Sequence, residues 1–204
     1  MSSSDGATEV ATFKAELLGA ETPLWERNES EYIADCRVFK VRRDLCMCET
    51  RSEPQNFFCI EAPDWINVIP ITRNGEVVMI EQFRHGIEGV TLEIPGGMVD
   101  EEEEPGAAAL RELLEETGFG NGRLLSLGRA RPNPAIQNNW IHSFVVLDVE
   151  RISSPILEGN EHTTVRLVRL EEIPALIANG TINHALVIVA FHKLILQRQG
   201  LLPS

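Results

Sequence analysis

Gly97-Met98-Val99-Asp100-Glu101-Glu102-Glu103-Glu104-Pro105-Gly106-Ala107-Ala108-Ala109-Leu110-Arg111-Glu112-Leu113-Leu114-Glu115-Glu116-Thr117-Gly118-Phe119 reads as a loop running into a helix. Pro105 sits near the first turn, where its missing N–H costs nothing. Three alanines and three leucines favour propagation, and Gly118 suits a left-handed cap at the end. A helix advances about 100° per residue. Glu112, Glu115 and Glu116, at i, i+3 and i+4, therefore project together and repel by roughly a few tenths of a kcal/mol per pair. A cation offsets that repulsion. Mg²⁺ or Mn²⁺ fits best, because hard ions prefer carboxylate and water oxygens and the segment offers neither His nor Cys, which disfavours zinc. Ala107, Leu110, Leu113 and Leu114 are expected to form the buried stripe, leaving the glutamates on the opposite, wet side. Acidic helix faces also occur as plain solvated surface, so three glutamates alone do not decide the matter.

The surroundings do. Gly97, Glu103, Arg111, Glu112, Leu113, Glu115, Glu116, Gly118 and Phe119 fill every fixed position of the Nudix box, G-x5-E-x7-R-E-U-x-E-E-x-G-U, where U is a large aliphatic or aromatic residue. The chain resembles a Nudix hydrolase. The resemblance implies an α/β fold, the Nudix α/β/α sandwich with a mixed sheet, and metal-dependent attack of water on a nucleoside diphosphate linked to another moiety. It also implies that Glu112, Glu115 and Glu116 are metal ligands and catalytic residues, with Gly96 counted in the metal set and Glu103 as a supporting or occasional ligand. The residues agree with such chemistry: bound ions can bridge adjacent phosphates, neutralise developing charge and lower the pKa of water. Arg111 lies one turn before Glu115 and can brace it, or reach back to Glu103, keeping the carboxylates in orientation. Gly97, following Gly96, allows a turn that brings backbone close to a pyrophosphate.

The 204 residues suffice for one such domain plus a smaller appendage, and 43% hydrophobic with 24% charged residues is ordinary globular composition. No stretch reaches the ~18 apolar residues of a membrane span, and Met1-Ser2-Ser3-Ser4-Asp5-Gly6 lacks the basic and apolar regions of a signal peptide, so a cytoplasmic location is the default. Cys36, Cys46, Cys48 and Cys59 lack metal-binding or disulfide spacing and read as reduced strand residues. A formal charge of −13 disfavours nucleic acid as a partner. Anionic substrates must be admitted locally, by metals and a few placed arginines.

Residues 1–12 are small and polar and are expected to be disordered. Residues 13–62 form an N-terminal module with strands at Tyr32 to Val41, Leu45 to Thr50 and Gln55 to Glu61, a small antiparallel sheet. Residues 63–204 form the Nudix domain. There, Asp64 to Thr72 and Glu76 to Phe83 read as a hairpin turning at Asn74-Gly75. Arg123 to Ala130, Trp140 to Asp148 and Thr164 to Leu170 are further strands, and Glu171 to Ala178 and Asn183 to Gln199 are helices.

Three features outside the box resemble the ADP-ribose and nucleoside diphosphate sugar pyrophosphatases. Glu81-Gln82-Phe83-Arg84 with Leu92-Glu93-Ile94-Pro95-Gly96-Gly97 matches their Q-F/Y-R and E-hydrophobic-P-G signature. Pro134 falls 16 residues after Gly118, the spacing of their downstream proline. The N-terminal strands match the small sheet through which those enzymes commonly form swapped dimers, so a homodimer is implied. Arg84 can fork onto a phosphate or ribose oxygen, or pair with Glu81 or Glu93. Trp65 can stack on a base, or anchor the core or an interface. Asn133-Pro134-Ala135-Ile136-Gln137-Asn138-Asn139 departs from the usual S-P-G, which leaves the substrate open. Gln137, Asn138 and Asn139 can bond a sugar or simply form a polar loop. The resemblance places a general base in the loop before the last strand, where Glu161 aligns better than Glu158. His142 and His162 read as structural or exposed.

These features point to hydrolysis of ADP-ribose or a nucleoside diphosphate sugar into a nucleoside monophosphate and a sugar phosphate. Hydrolysis of nucleoside triphosphates or RNA 5′ ends fits the charge less well. A noncatalytic nucleotide-binding regulator is the alternative of another class, although such domains tend to lose the metal glutamates, and this chain has them all.

Overall fold

The computed structural model describes residues 22–157 and 162–202, which build two compact units meeting at Ile60 and Glu61. The expected tail, Glu158 and Glu161 all lie outside the described residues. In the first unit β1 (Trp25–Asp35), β2 (Lys40–Cys48) and β3 (Gln55–Glu61) form a three-stranded sheet in that order. The expected run from Tyr32 to Val41 is broken. Cys36 N–H donates to Phe39 O at 2.9 Å across a turn in which Arg37 takes φ 67°, so Cys36 lies outside the strands. β1 begins earlier than expected because its polar Trp25-Glu26-Arg27 start is ordered by pairing with Cys46–Cys48.

The second unit is built on β4 (Trp65–Thr72), β5 (Glu76–Arg84), β6 (Gly89–Glu93), β7 (Gly96–Met98), β8 (Phe119–Gly120), β9 (Arg123–Ala130), β10 (Ile141–Arg151) and β11 (Thr163–Arg169). Its helices are α1 (Pro105–Thr117), α2 (Ile173–Ala178) and α3 (Ala185–Arg198). The order β11-β5-β4-β10-β8 forms the sheet's spine, with β6 on β5, β7 on β4 and β9 on β10. β4 and β10 run parallel, which makes the sheet mixed. The hairpin turn is as expected: Gly75 has φ 78°, and its N–H donates to Thr72 O at 3.0 Å.

The central strands are apolar at nearly every position because the sheet is covered on both faces. Side chains alternate. Ile66 and Val68 of β4, Val78 of β5, and Phe144 and Val146 of β10 pack against Ala108, Ala109 and Leu113 of α1. Ile69, Ile71, Val77, Met79 and Val145 pack the other way, against Ile173 of α2 and Val187, Ala190, Phe191 and Leu194 of α3. This is the expected α/β/α sandwich.

The face of α1 differs from expectation. Ala107 and Leu110 are exposed, whereas Ala108, Ala109, Leu113, Glu116 and Thr117 are buried. The small alanines let the helix lie close to the sheet, and the helix turns its glutamates toward β7 rather than toward open water. Three short strands, β6, β7 and β8, are not expected; in β7, Gly96 and Gly97 after Pro95 look like breakers until β4 supplies a partner, while β6 and β8 are ordered by β5 and β10. Leu113→Ala is expected to lower the unfolding free energy by about 2–5 kcal/mol in a denaturant titration. Leu110→Ala, at a residue 41% exposed, should change it by less than about 1 kcal/mol. Equal losses would contradict the observed helix face.

Candidate active site

The helix and the loop before it are locked by Arg111. Its Nε and Nη2 donate to Glu103 Oε1 and Oε2, both at 3.0 Å, and its Nη1 donates to Glu112 Oε1 at 2.9 Å and Glu115 Oε2 at 3.1 Å. Nη2 also donates to Met98 O at 3.2 Å. The bond to Glu103, above all, holds the guanidinium's pKa above its ordinary value, and the same bond holds the Glu103 carboxyl below the usual carboxylate range. Both expected roles of Arg111, bracing Glu115 and reaching back to Glu103, are thus combined in one side chain.

Glu116, only 3% exposed, accepts the Gly96 N–H at 2.9 Å through Oε2. Gly97 faces the Glu112 carboxylate so closely that a Cβ there would collide with it. A side chain at Gly97 would push the Glu112 carboxylate aside, whereas one at Gly96 would meet the Ile66 backbone carbonyl, so it is at Gly96 that space requires glycine. The helix ends as expected: Gly118 takes φ 73° and its N–H donates to Leu114 O at 2.8 Å. The last turn has further partners, with Ile156 N–H donating to Glu115 O at 2.8 Å and Thr163 Oγ1 donating to Glu116 O at 3.1 Å. Ile156 and Thr163 flank the segment that contains Glu158 and Glu161, so both of its stems are tied to the turn bearing Glu115 and Glu116.

Gly96, Gly97, Arg111, Glu112, Glu115 and Glu116 are therefore brought together. Among the described residues no three acidic, His or Cys side chains converge into a ready cation cage. Glu112 and Glu115 lean on Arg111 and Glu116 on the Gly96 N–H, so taking up an ion requires these carboxylates to turn. The donor set is all oxygen, which fits a hard divalent cation. The ridge also lies against Gly96 and Gly97, where backbone replaces side-chain bulk.

Arg84 and Glu93 form the second element. Arg84 Nε and Nη2 donate to Glu93 Oε1 and Oε2 at 2.8 and 2.7 Å, and Thr91 Oγ1 donates to Oε1 at 2.5 Å. Of the two partners considered for Arg84, Glu93 is the one used, while Glu81 pairs with Arg166 at 2.8 Å. Burial alone would push the Glu93 carboxyl up; bonds from Arg84 and then Thr91 outweigh it and leave the pKa below the ordinary 4.5. Sequence reasoning did not single out Thr91 or Thr163. For Thr91 the alternation Thr91-x-Glu93 was the available signal, whereas Thr163 offered none.

Other expected residues lie apart from the ridge. Strand alternation puts Trp65 on the face opposite Ile66, away from α1, with its N–H donating to Trp140 O at 2.8 Å. Pro134 is exposed in the β9–β10 loop, at the sheet end that also carries Gly97. Asn138 and Asn139 are committed to structure: Asn138 Oδ1 accepts Ala62 N–H at 3.4 Å, and Asn139 Nδ2 donates to Pro63 O at 3.1 Å. His142 is structural, 2.9 Å from Asp64, and His162 is exposed.

The Glu93 network carries a pH signature. Because the folded carboxyl has a pKa below 4.5, its pairing stabilises the fold above that pH and is lost as pH falls through the lower, folded value. Glu93→Gln is expected to cost about 1–2 kcal/mol at pH 7, a figure reduced by solvent screening at the half-exposed Arg84. In urea titrations the gap to wild type should narrow below pH 4.5. A gap independent of pH would mean that Glu93 is uncharged in the fold.

The chain is similar to known proteins. The NUDIX domain model matches residues 64–191. The chain is 29% identical over 127 residues to the ADP-ribose pyrophosphatase of Bacillus subtilis, covering 62% of this chain and 69% of that one. It is 30% identical over 139 residues to the methanol dehydrogenase activator of Bacillus methanolicus, covering 68% and 75%. A mouse ADP-sugar pyrophosphatase is 43% identical over 63 residues, 29% of each chain. The fold also matches the crystal structure of an ADP compounds hydrolase, with a TM-score of 0.76 at 22% identity, over 90% of this chain and 99% of that one. No helix among the described residues is long and apolar enough to cross a membrane. With its box residues gathered along β7, the following loop and α1, and the domain matched from β4 into α3, the chain belongs to the Nudix family of hydrolases.

Proposed function

We propose that this enzyme hydrolyses the pyrophosphate bond of ADP-ribose or a related ADP-sugar, releasing AMP and a sugar phosphate. The observation that carries the reading is the Arg111-braced ridge of Glu112, Glu115 and Glu116 set against Gly96 and Gly97. The pyrophosphatase relatives from Bacillus subtilis and mouse supply the substrate class. Glu112, Glu115, Glu116 and the Gly96 backbone would hold the divalent cation, Mg²⁺ or Mn²⁺. When bound, such an ion neutralises phosphoryl charge and makes water a better nucleophile near neutral pH.

The remaining roles belong to the chain itself. Arg111 orients the ridge, and Gly97 lets the diphosphate approach the backbone. Arg84, aimed by Glu93, takes a phosphate or ribose oxygen. Glu161, with Glu158 as the alternative, serves as general base from the segment whose stems are tied to α1. The Pro134 loop helps choose the sugar. Trp65, on the opposite face, is left as a packing residue. A second copy is proposed to pair through the N-terminal sheet, which exposes Trp25, Tyr32, Ile33, Phe57 and Phe58. A cytoplasmic setting would keep the four free thiols reduced.

Incubation with ADP-ribose, ADP-glucose, UDP-glucose, GDP-mannose and dinucleoside polyphosphates in the presence of Mg²⁺ tests the reading. The ADP-sugars should give AMP and a sugar phosphate, and Glu116→Gln should lower kcat by at least about a hundredfold with its melting temperature nearly unchanged. Cleavage of triphosphates alone would overturn the substrate class, and full activity in Glu116→Gln would overturn the ridge. The same preparation should sediment at twice the chain mass.

A further inference from the structure

The loop between β9 and β10 keeps Pro134 at the expected spacing but departs from the usual pattern around it, and its base carries two arginines on one indole. The Arg131 guanidinium carbon lies 3.5 Å from the centre of the Trp140 indole, and that of Arg129 lies 4.1 Å from the same centre. Two guanidinium groups so close to one ring centre cannot share a face without colliding. The indole is therefore held between them. Planar guanidinium groups stack on such a ring in a way that an ammonium does not.

This stack also closes the loop. Arg131 Nη1 donates to Asn138 O, joining the two ends of the segment that carries Pro134. Inside it, Ile136 and Gln137 N–H both donate to Asn133 O, at 3.1 and 2.8 Å, which folds the tip into a tight turn. Trp140 itself is fixed on both sides. Its N–H donates to Asp64 Oδ1 at 2.8 Å, its carbonyl accepts the Trp65 N–H at 2.8 Å, and Asp64 is held in turn by His142. Trp65 lies in register with Met98 on one side and Ile141 on the other. The base of the loop is thus two strands across from the Gly97 strand that faces Glu112. Pro134, Ala135 and Ile136 are exposed on a tip whose base is rigid.

We propose that the Arg129–Trp140–Arg131 stack is a positioning device that fixes the Pro134 loop and thereby sets which sugar the site accepts. It rests on the reading of the enzyme as an ADP-sugar pyrophosphatase. Among the described residues, Arg129, Trp140 and Arg131 make no hydrogen bond or ion pair with Glu112, Glu115 or Glu116, so their effect is assigned to recognition rather than to the reacting centre. Loosening it should weaken recognition and leave the chemical step intact.

Steady-state kinetics on ADP-ribose and ADP-glucose, run in parallel on full-length wild type, Arg131→Ala, Arg131→Lys and Trp140→Phe, tests this. Arg131→Ala should raise KM for the preferred sugar at least about fivefold, keep kcat within about twofold and shrink the preference between the two sugars. Arg131→Lys keeps the charge but not the planar stack and should behave like Arg131→Ala, whereas Trp140→Phe keeps a ring between the arginines and should restore most of the wild-type preference. Unchanged KM and preference in folded Arg131→Ala would overturn the proposal. So would a fall in kcat with KM unchanged, or wild-type behaviour in Arg131→Lys. If wild type cleaves neither sugar, it is the substrate reading that fails, and the variants are then compared on whichever substrate of the wider panel is cleaved, with the same outcomes deciding.

Discussion

One guanidinium holds the candidate site together. Arg111 spans the loop and the helix, taking both oxygens of Glu103, one each of Glu112 and Glu115, and the Met98 carbonyl. Without such a cation, glutamates one turn apart repel and splay. With it, the loop after β7 is fixed to the helix, Glu116 and Glu112 face Gly96 and Gly97, and Glu115 is held beside them. The rest of the sandwich serves this placement: Ala108, Ala109 and Leu113 seat the helix on β4 and β10, and the Gly118 cap together with Ser153, Ile156 and Thr163 fixes its far end.

Much of this was legible because the informative residues carry local signals. Pro105 and Gly118 mark the helix, Asn74-Gly75 marks the hairpin, and the box residues sit at fixed spacing along one helix. What could not be read depended on partners distant in sequence. Of the expected stripe, Ala107, Leu110, Leu113 and Leu114, only Leu113 is fully buried, because the space between helix and sheet selects Ala108 and Ala109 beside it. Gly96 and Gly97 belong to a strand only because Ile66 and Asn67 pair with them. The break at Cys36–Phe39 carries no glycine or proline, and Arg37 adopts a positive φ that nothing nearby in the sequence announces. Likewise Arg84 had two plausible acidic partners, and the β5–β6 register decided for Glu93 over Glu81.

The chain carries a formal charge of −13, and four of its arginines stand in fixed settings. Arg111 is bound to carboxylates, Arg84 to a buried glutamate, and Arg129 and Arg131 to an indole. Each is fixed by a partner, and fixed charges recognise better than mobile ones because less side-chain freedom is lost on binding. Under the proposed function, the ridge would carry the reaction, while Arg84 and the loop held by the Arg129–Trp140–Arg131 stack would shape what reaches it.

The clamp itself is tested most directly by Mn²⁺ binding, followed by electron paramagnetic resonance, in wild type and Arg111→Ala. Removing a positive charge beside three carboxylates would tighten cation binding if simple attraction governed the site. A clamp that holds the carboxylates in place instead predicts weakening of about 10- to 100-fold, with the fold retained. Equal or tighter Mn²⁺ binding in Arg111→Ala would contradict the central role given to that residue.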